Sequence, residues 1–96
     1  MRKIIAVDID GYIAERTPEK SYDFASFTPK REVIEKINTL YKQGHVIIYH
    51  TARHPSYYEV TYAWLLAQGC WFHALRMGKM AADHYLDDRN ANLEDL

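Results

Sequence analysis

The sequence contains few of the residues that cross-link small folds or interrupt helices and strands, namely cysteine, proline and glycine. Its 96 residues include one cysteine, Cys70, three prolines and four glycines. A single cysteine excludes an internal disulfide framework and is typical of a reducing compartment, so we expect a cytoplasmic protein. The residues around it, "GCWFHAL", predict a buried strand, and Cys70 is therefore interpreted as a core thiol rather than a nucleophile.

A strong net charge and a long hydrophobic run are also missing. The 12 basic and 13 acidic residues leave a net charge of −1, so no field of the whole molecule attracts nucleic acid or a membrane surface. The N-terminal apolar run is interrupted by Asp8 after four apolar residues, which excludes it as a signal peptide or a membrane span. We expect no membrane partner.

What the chain does contain is typical of one small globular domain. Hydrophobic residues make up 48% of the sequence and charged residues 26%, which is an ordinary balance for a folded protein. A chain of this size has room for a single core. We therefore expect one domain over residues 1–96.

Apolar patterning alternates between strand and helix. Short apolar runs predict strands over residues 2–8, 45–50, 70–75 and 82–86. Helical spacing predicts one helix that Thr28 caps and Gly44 ends, and a second that opens on a capping box of Ser56 and Glu59 and ends at Gly69. The polar stretch over residues 12–28 predicts a long loop or a flap of short strands.

This alternation predicts the α/β class. Helices that cross over between successive strands build an open parallel sheet with right-handed connections. We expect a three-layer, Rossmann-like fold with about four parallel strands and no cap domain.

Polar residues follow the predicted strands where a parallel sheet binds its ligands. They are Asp8 after the first strand, Thr51 after the second, Asp87 and Asp88 after the fourth, and Lys79 before the fourth. One acid at a strand end is an ordinary turn residue, but several at one sheet edge favour a binding site. Converging carboxylates repel one another and need a cation, and oxygen ligands of this kind suit Mg²⁺. The pattern predicts a phosphate site in which one carboxylate is a nucleophile.

Four segments in order resemble the motifs of the haloacid dehalogenase superfamily. They are "DIDG" after the first strand, "IIYHTAR" at the end of the second, Lys79 in a loop with glycine, and "YLDD" at the end of the last. The short chain resembles the small capless phosphatases of that superfamily, some of which act in capsule or sugar-phosphate metabolism. The "YHTAR" stretch is also similar to polynucleotide phosphatase domains.

The resemblance implies a role for each matching residue. Asp8 would attack phosphorus and form an aspartyl-phosphate, and Asp10 would act as general acid and then general base. Thr51 and Lys79 would bind the phosphoryl group, and Arg53 would contact substrate or phosphate. The implied Mg²⁺ ligands are Asp8, the backbone carbonyl of Asp10, Asp87 and Asp88. The implied activity is a Mg²⁺-dependent hydrolase acting on a sugar phosphate, a nucleotide or a polynucleotide end.

Tyr12 departs from the superfamily pattern, which usually has threonine after the glycine of the first motif. It either slows turnover, forms part of a substrate platform, or is a neutral replacement. The alternative function is therefore a weakened module that binds phosphate without turning it over. A receiver domain is disfavoured, because its acidic pair follows the first strand, whereas here the acidic pair follows the last predicted strand and Lys79 precedes it. The tyrosines and tryptophans predict core packing for the most part, with a substrate platform or a homo-oligomer interface as alternatives.

Overall fold

Parallel strands and two helices account for most of the regular structure. The structure is a computed structural model, and it describes residues 2–16 and 23–78. In chain order the elements are β1 (Ile4–Asp8), β2 (Ala14–Glu15), β3 (Thr28–Pro29), α1 (Arg31–Lys42), β4 (Val46–His50), α2 (Tyr58–Ala67) and β5 (Ala74–Arg76), with 3-10 helices at Phe24–Ser26 and Pro55–Tyr57. The predicted fourth strand of the sheet, over residues 82–86, lies outside the described residues, as do Lys79, Asp87 and Asp88.

The main sheet has the strand order β1-β4-β5 and is parallel throughout. This confirms the predicted α/β class and its parallel sheet. The β1–α1–β4 and β4–α2–β5 crossovers run in the same direction across the sheet, which puts both helices on one face. Arg31 and Asn38 of α1 donate hydrogen bonds to the backbone carbonyls of Gln68 and Gly69 just beyond α2. The described residues thus supply the sheet and one helical layer, and the third predicted layer stays a prediction.

Both helices begin later than their capping signals predict. Thr28 and Pro29 were predicted to open α1, but they pair with Ala14 and Glu15 as strand β3. A further backbone bond from Lys30 to the Ile13 carbonyl extends this pairing, so the chain stays extended until α1 begins at Arg31. Backbone groups of this segment therefore find their hydrogen-bond partners in the antiparallel pairing and not in a first helical turn capped by Thr28.

The predicted capping box of α2 is wrong. The chain forms a 3-10 turn at Pro55–Tyr57, in which the His54 side chain accepts a hydrogen bond from the backbone N–H of Ser56. The α-helix begins only at Tyr58, and its N-cap residue makes no side-chain bond. Because the histidine ring already satisfies the Ser56 N–H, the turn is capped without the reciprocal Ser and Glu bonds.

β5 is shorter than the predicted strand over residues 70–75. The backbone N–H of Ile47 donates to the Nδ1 atom of the His73 ring at 3.0 Å, so a side chain takes the position of a ladder carbonyl there. The backbone N–H of Cys70 bonds the Leu65 carbonyl instead and completes the end of α2. The His73 backbone N–H donates to the Ile47 carbonyl at 2.8 Å, and the paired register of β5 begins at Ala74.

The predicted loop or flap over residues 12–28 is built around the short β2–β3 pair. A 3-10 helix at Phe24–Ser26 lies next to it, and the indole N–H of Trp64 in α2 donates to the Phe27 carbonyl at 3.0 Å. We call residues 11–16 and 23–29, which include β2, β3 and this 3-10 helix, the flap. Its contacts with α2 fix it at the end of the sheet where the polar residues gather.

Apolar side chains from sheet, helices and flap form one core. They are Val7, Ile9, Ile13, Ala14, Phe24, Phe27, Ile34, Ile37, Ile47, Tyr49, Trp64, Leu65 and Cys70. Buried apolar area of this kind is the main source of folding free energy. In the part of the chain that the structure describes, no helix is both long and apolar enough to cross a bilayer.

The Cys70 thiol is buried, as the sequence predicted, and we expect it to be unreactive in the folded protein. Burial raises its pKa from 9.0 to about 11, so little thiolate is present near neutral pH. Iodoacetamide at pH 8 should label the native protein slowly and the chain in guanidinium rapidly. Fast labelling of the native protein would contradict this burial.

The same shift sets a pH dependence of stability. The folded pKa lies above the unfolded one, so the contribution is complete below about pH 9 and is lost as the pH rises toward 11. The free energy of unfolding should fall over that range in the wild type and fall less in Cys70→Ala.

Candidate active site

Three strand ends form a row at the carboxyl edge of the sheet. The parallel register pairs Asp8 with His50 and His50 with Arg76, so the three side chains leave the same face of the sheet. The His50 Nε2 atom lies 3.2 Å from Oδ1 of Asp8. Sequence reasoning missed this contact. Aligning the two predicted strands at their polar ends would have found it.

Asp10 is placed by a tight turn directly after β1. Gly11 adopts a φ of 83°, a left-handed conformation that glycine takes without strain. Its backbone N–H donates to the Ala14 carbonyl at 2.9 Å, and the Lys30 ammonium donates to the Gly11 carbonyl at 3.1 Å. The turn is therefore held from both sides, and the position of Asp10 is fixed relative to β1.

Arg53 forms a bidentate hydrogen-bonded ion pair with the Asp10 carboxylate. Its Nε atom donates to Oδ2 at 3.0 Å and its Nη2 atom donates to Oδ1 at 2.6 Å. The Thr51 hydroxyl donates to the same Oδ2 at 3.1 Å. Bidentate contacts between guanidinium and carboxylate are among the strongest and most directional hydrogen bonds in proteins. Both oxygens of Asp10 are thus oriented by the segment that follows β4.

The Arg53 guanidinium is itself buried and surrounded by protein groups. Its side chain is only 4% exposed, and its Nη1 atom donates to the Thr61 hydroxyl of α2 at 2.9 Å. Its carbon Cζ lies 3.8 Å from the centre of the Phe24 ring in the flap, within range of a cation–π interaction. The structure places Arg53 as the partner of Asp10, and its predicted contact with substrate stays a prediction.

Thr51 is placed beside Asp10 and makes a hydrogen bond to it. Its side chain is buried, and its oxygen also accepts a hydrogen bond from the backbone N–H of Arg53 at 3.2 Å. The predicted bond from this hydroxyl to a phosphoryl oxygen is untested. In this structure the Thr51 hydroxyl orients Asp10 and stabilises the loop that carries Arg53.

The segment after β5 is tied to the same loop. The Thr51 N–H donates to the Arg76 carbonyl at 3.0 Å, and the Gly78 N–H donates to the Arg53 carbonyl at 2.9 Å. These bonds extend the β4–β5 ladder beyond His50. Gly78 directly precedes Lys79 in the sequence. The residue before the predicted phosphate ligand is therefore bound to the loop that carries Arg53.

The two acids line different cavities. Asp10 lines a cavity of about 430 Å³ whose walls also include Gly11, Glu15, Arg16, Phe24, Phe27 and Arg53. Asp8 lines a groove of about 290 Å³ along β1, together with His50, Tyr12 and apolar residues of β1 and α1. Tyr12 is 49% exposed, so the residue that departs from the superfamily pattern lies in the groove of the predicted nucleophile.

A comparison with models of known protein families identifies the family of this chain. The model for the polynucleotide kinase PNKP phosphatase domain, HAD_PNKP, matches residues 2–95. The chain belongs to this family. Membership confirms the haloacid dehalogenase superfamily predicted from the four motifs, and the chain is a phosphatase-type domain of that superfamily. No curated protein gives a significant match.

Solved structures show the same fold as this PNKP-type phosphatase domain. A crystal structure of a Vibrio cholerae protein superimposes with a TM-score of 0.70 at 24% identity, covering 99% of this chain and 86% of the other. The Pnkp1/Rnl/Hen1 complex gives 0.70 at 21% identity, and the Pnkp1/Rnl/Hen1 RNA repair complex gives 0.72 at 20%. The alignments with those two complexes include 92% and 91% of this chain but only 31% and 28% of the matched chains.

The described part of this phosphatase domain fits one side of a Mg²⁺ site. Asp8 offers hard carboxylate oxygens on a side chain that is 52% exposed, which suits Mg²⁺. Within residues 2–16 and 23–78, no group of three or more His, Cys, Asp or Glu side chains gathers around one point. The predicted ligands Asp87 and Asp88 lie outside those ranges, so the full set stays a prediction.

Proposed function

We propose that the chain is a Mg²⁺-dependent phosphatase that removes a phosphate from a nucleic-acid end through an aspartyl-phosphate on Asp8. The fixed Asp10 carboxylate, two residues beyond the strand-end Asp8, is the observation that carries this proposal. The match to the PNKP phosphatase domain over residues 2–95 supports the nucleic-acid substrate. A structural neighbour from an RNA repair complex agrees with it.

The first half of the reaction transfers the phosphoryl group to Asp8. A carboxylate oxygen of Asp8 attacks phosphorus, and the bond from phosphorus to the ester oxygen breaks. Asp10 gives its proton to the departing oxygen, which leaves as a hydroxyl. The row of strand ends places His50 and Arg76 on the same face as Asp8, where the positive charge of Arg76 would attract the negative charge of a phosphate.

The second half returns the enzyme to its starting state. Asp10 takes a proton from water as the water oxygen attacks phosphorus, and the bond from phosphorus to Asp8 breaks to release inorganic phosphate. Both oxygens of Asp10 accept hydrogen bonds from Arg53, which supports Asp10 as the group that performs this step. The carboxylate therefore faces its task already oriented.

A magnesium ion would be held by Asp8, the backbone carbonyl of Asp10, Asp87 and Asp88. When bound, it supplies positive charge that lets a carboxylate approach a negatively charged phosphate. The structure describes Asp8 and Asp10 of this set, and the other two proposed ligands are residues 87 and 88.

The substrate class can be tested with a panel of phosphate esters and purified chain. We expect Mg²⁺-dependent phosphate release from oligonucleotides with a terminal phosphate to exceed release from mononucleotides and sugar phosphates by at least about tenfold in kcat/KM. EDTA should abolish release, and added Mg²⁺ should restore it. Release that is equally fast with EDTA would contradict the metal requirement, and a preference for sugar phosphates would overturn the nucleic-acid assignment.

The same samples separate turnover from binding alone. If Tyr12 has weakened the second step, labelled phosphate should accumulate on Asp8 without being released. That outcome would favour the phosphate-binding module over the phosphatase.

A further inference from the structure

We infer that Thr61 is a positioning residue that sets the catalytic geometry of Asp10 through Arg53. Thr61 lies in α2, outside all of the motifs that the sequence offered, and it does not touch Asp10. This inference rests on the proposed function, because it assigns Thr61 a part in the reaction that Asp10 performs.

Thr61 is a polar residue on the buried face of an apolar helix. It is fully buried, and the other buried residues of α2 are Trp64 and Leu65, three and four positions further along. This spacing is that of the inward face of a helix, where a hydroxyl has to find a hydrogen-bond partner. The partner that it finds is Nη1 of Arg53, at 2.9 Å.

The bond to Thr61 completes the orientation of the guanidinium. Nε and Nη2 point to the two oxygens of Asp10, and Nη1 points to Thr61, so each nitrogen is directed by one partner. Asp10 is on a turn and its side chain is 42% exposed, whereas Thr61 sits in a helix that packs on the core. The rigid end of this chain of contacts is therefore Thr61, and the end that must meet substrate is Asp10.

The surroundings of Arg53 leave its position dependent on that anchor. The Phe24 ring covers one face of the guanidinium at 3.8 Å, which limits movement away from the plane but not rotation within it. Without the Thr61 hydroxyl, a buried Nη1 would lack the partner it has here, and the guanidinium would rotate to find another. The fork on Asp10 would rotate with it.

Two substitutions separate the hydroxyl of Thr61 from its volume. Thr61→Val keeps the shape and removes the acceptor, and it should lower kcat about tenfold while KM changes by less than about twofold. Thr61→Ser keeps the hydroxyl and should retain most of kcat. If valine reduces the folded fraction, Thr61→Ala serves as the variant to compare with serine.

Thr39→Val is the matched control. Thr39 is also a threonine within a helix, but it is exposed, and its hydroxyl donates to the Glu35 carbonyl one turn earlier. This substitution should leave kcat unchanged. Full activity in Thr61→Val, or an equal loss in Thr61→Val and Thr61→Ser, would overturn the inference.

A second readout is independent of turnover. The Nε–H signal of Arg53 in a nitrogen-15 NMR spectrum, identified by its loss in Arg53→Lys, should resist hydrogen exchange in the wild type and in Thr61→Ser. It should exchange faster in Thr61→Val. An absence of phosphatase activity in the wild type would defeat the proposed function alone, whereas unchanged exchange in Thr61→Val would defeat the positioning role.

Discussion

Asp8→Asn is expected to lower kcat for phosphate release by at least about 10⁴-fold, the scale on which loss of a nucleophile affects covalent catalysis. The asparagine amide has no ionised oxygen with which to attack phosphorus. The substitution is nearly isosteric on a side chain that is 52% exposed. The lost ion pair with His50 should therefore cost less than about 1 kcal/mol of stability, and thermal unfolding should separate the chemical effect from any loss of fold.

An aryl phosphate makes the test of Asp8 sharper than steady-state activity does. Its leaving group departs without help from an acid, so Asp10→Asn should still release about one equivalent of phenol in a rapid burst and then stall. Asp8→Asn should show no burst. Asp23→Asn is the matched control, because Asp23 is exposed and its side chain caps nothing; it should behave as the wild type. A full burst in Asp8→Asn would assign the nucleophile to another residue.

The part of this site that follows from single strands was predictable from the sequence. Asp8 and Thr51 end two apolar runs, and the carboxyl ends of parallel strands meet at one edge. That reasoning needs only the strand assignment and the parallel order. The structure confirms both for the described strands, with Asp8 and Thr51 at the same edge.

The part that depends on pairing between distant segments was not predictable. The capping signal at Thr28 was replaced by backbone pairing with β2, which is distant in the sequence. The signal at Ser56 was replaced by a local bond to the His54 ring, two residues earlier, which a capping-box pattern does not include. His50 reached Asp8 only through strand register, and Thr61 reached Arg53 only through the packing of α2 on the site.

These contacts give the two acids on one short segment different surroundings, which agrees with the different tasks that we propose for them. Asp8 is on the strand and has an imidazole beside it, whereas Asp10 is on the turn and is held by a guanidinium and a hydroxyl. A nucleophile has to approach phosphorus, and a general acid and base has to hold one position through two proton transfers. The strand-end position of Asp8 and the hydrogen-bonded turn position of Asp10 suit the two tasks that we propose for them.

Arg53→Lys should reveal the tight hold on Asp10, with kcat about 10²-fold lower and KM within about threefold of the wild type. Lysine keeps the positive charge, but a single ammonium cannot bond both oxygens of Asp10 and the Thr61 hydroxyl together. A residue that bound the substrate phosphate instead would raise KM when replaced. The division of the effect between kcat and KM therefore distinguishes a positioning role from a substrate contact.

Stability should fall together with kcat in Arg53→Lys, by about 1 to 3 kcal/mol, because a buried fork of hydrogen bonds is lost. In a domain of this size that lowers Tm by roughly 5 to 15 °C, so activity is best compared at low temperature, where both proteins are folded. Arg31→Lys is the matched control. Arg31 also donates two hydrogen bonds, to the Gln68 carbonyl and its side-chain oxygen, but on the surface of α1. It should cost little stability and leave kcat unchanged, and an equal fall in kcat for both variants would mean that Arg53 acts through general packing rather than through Asp10.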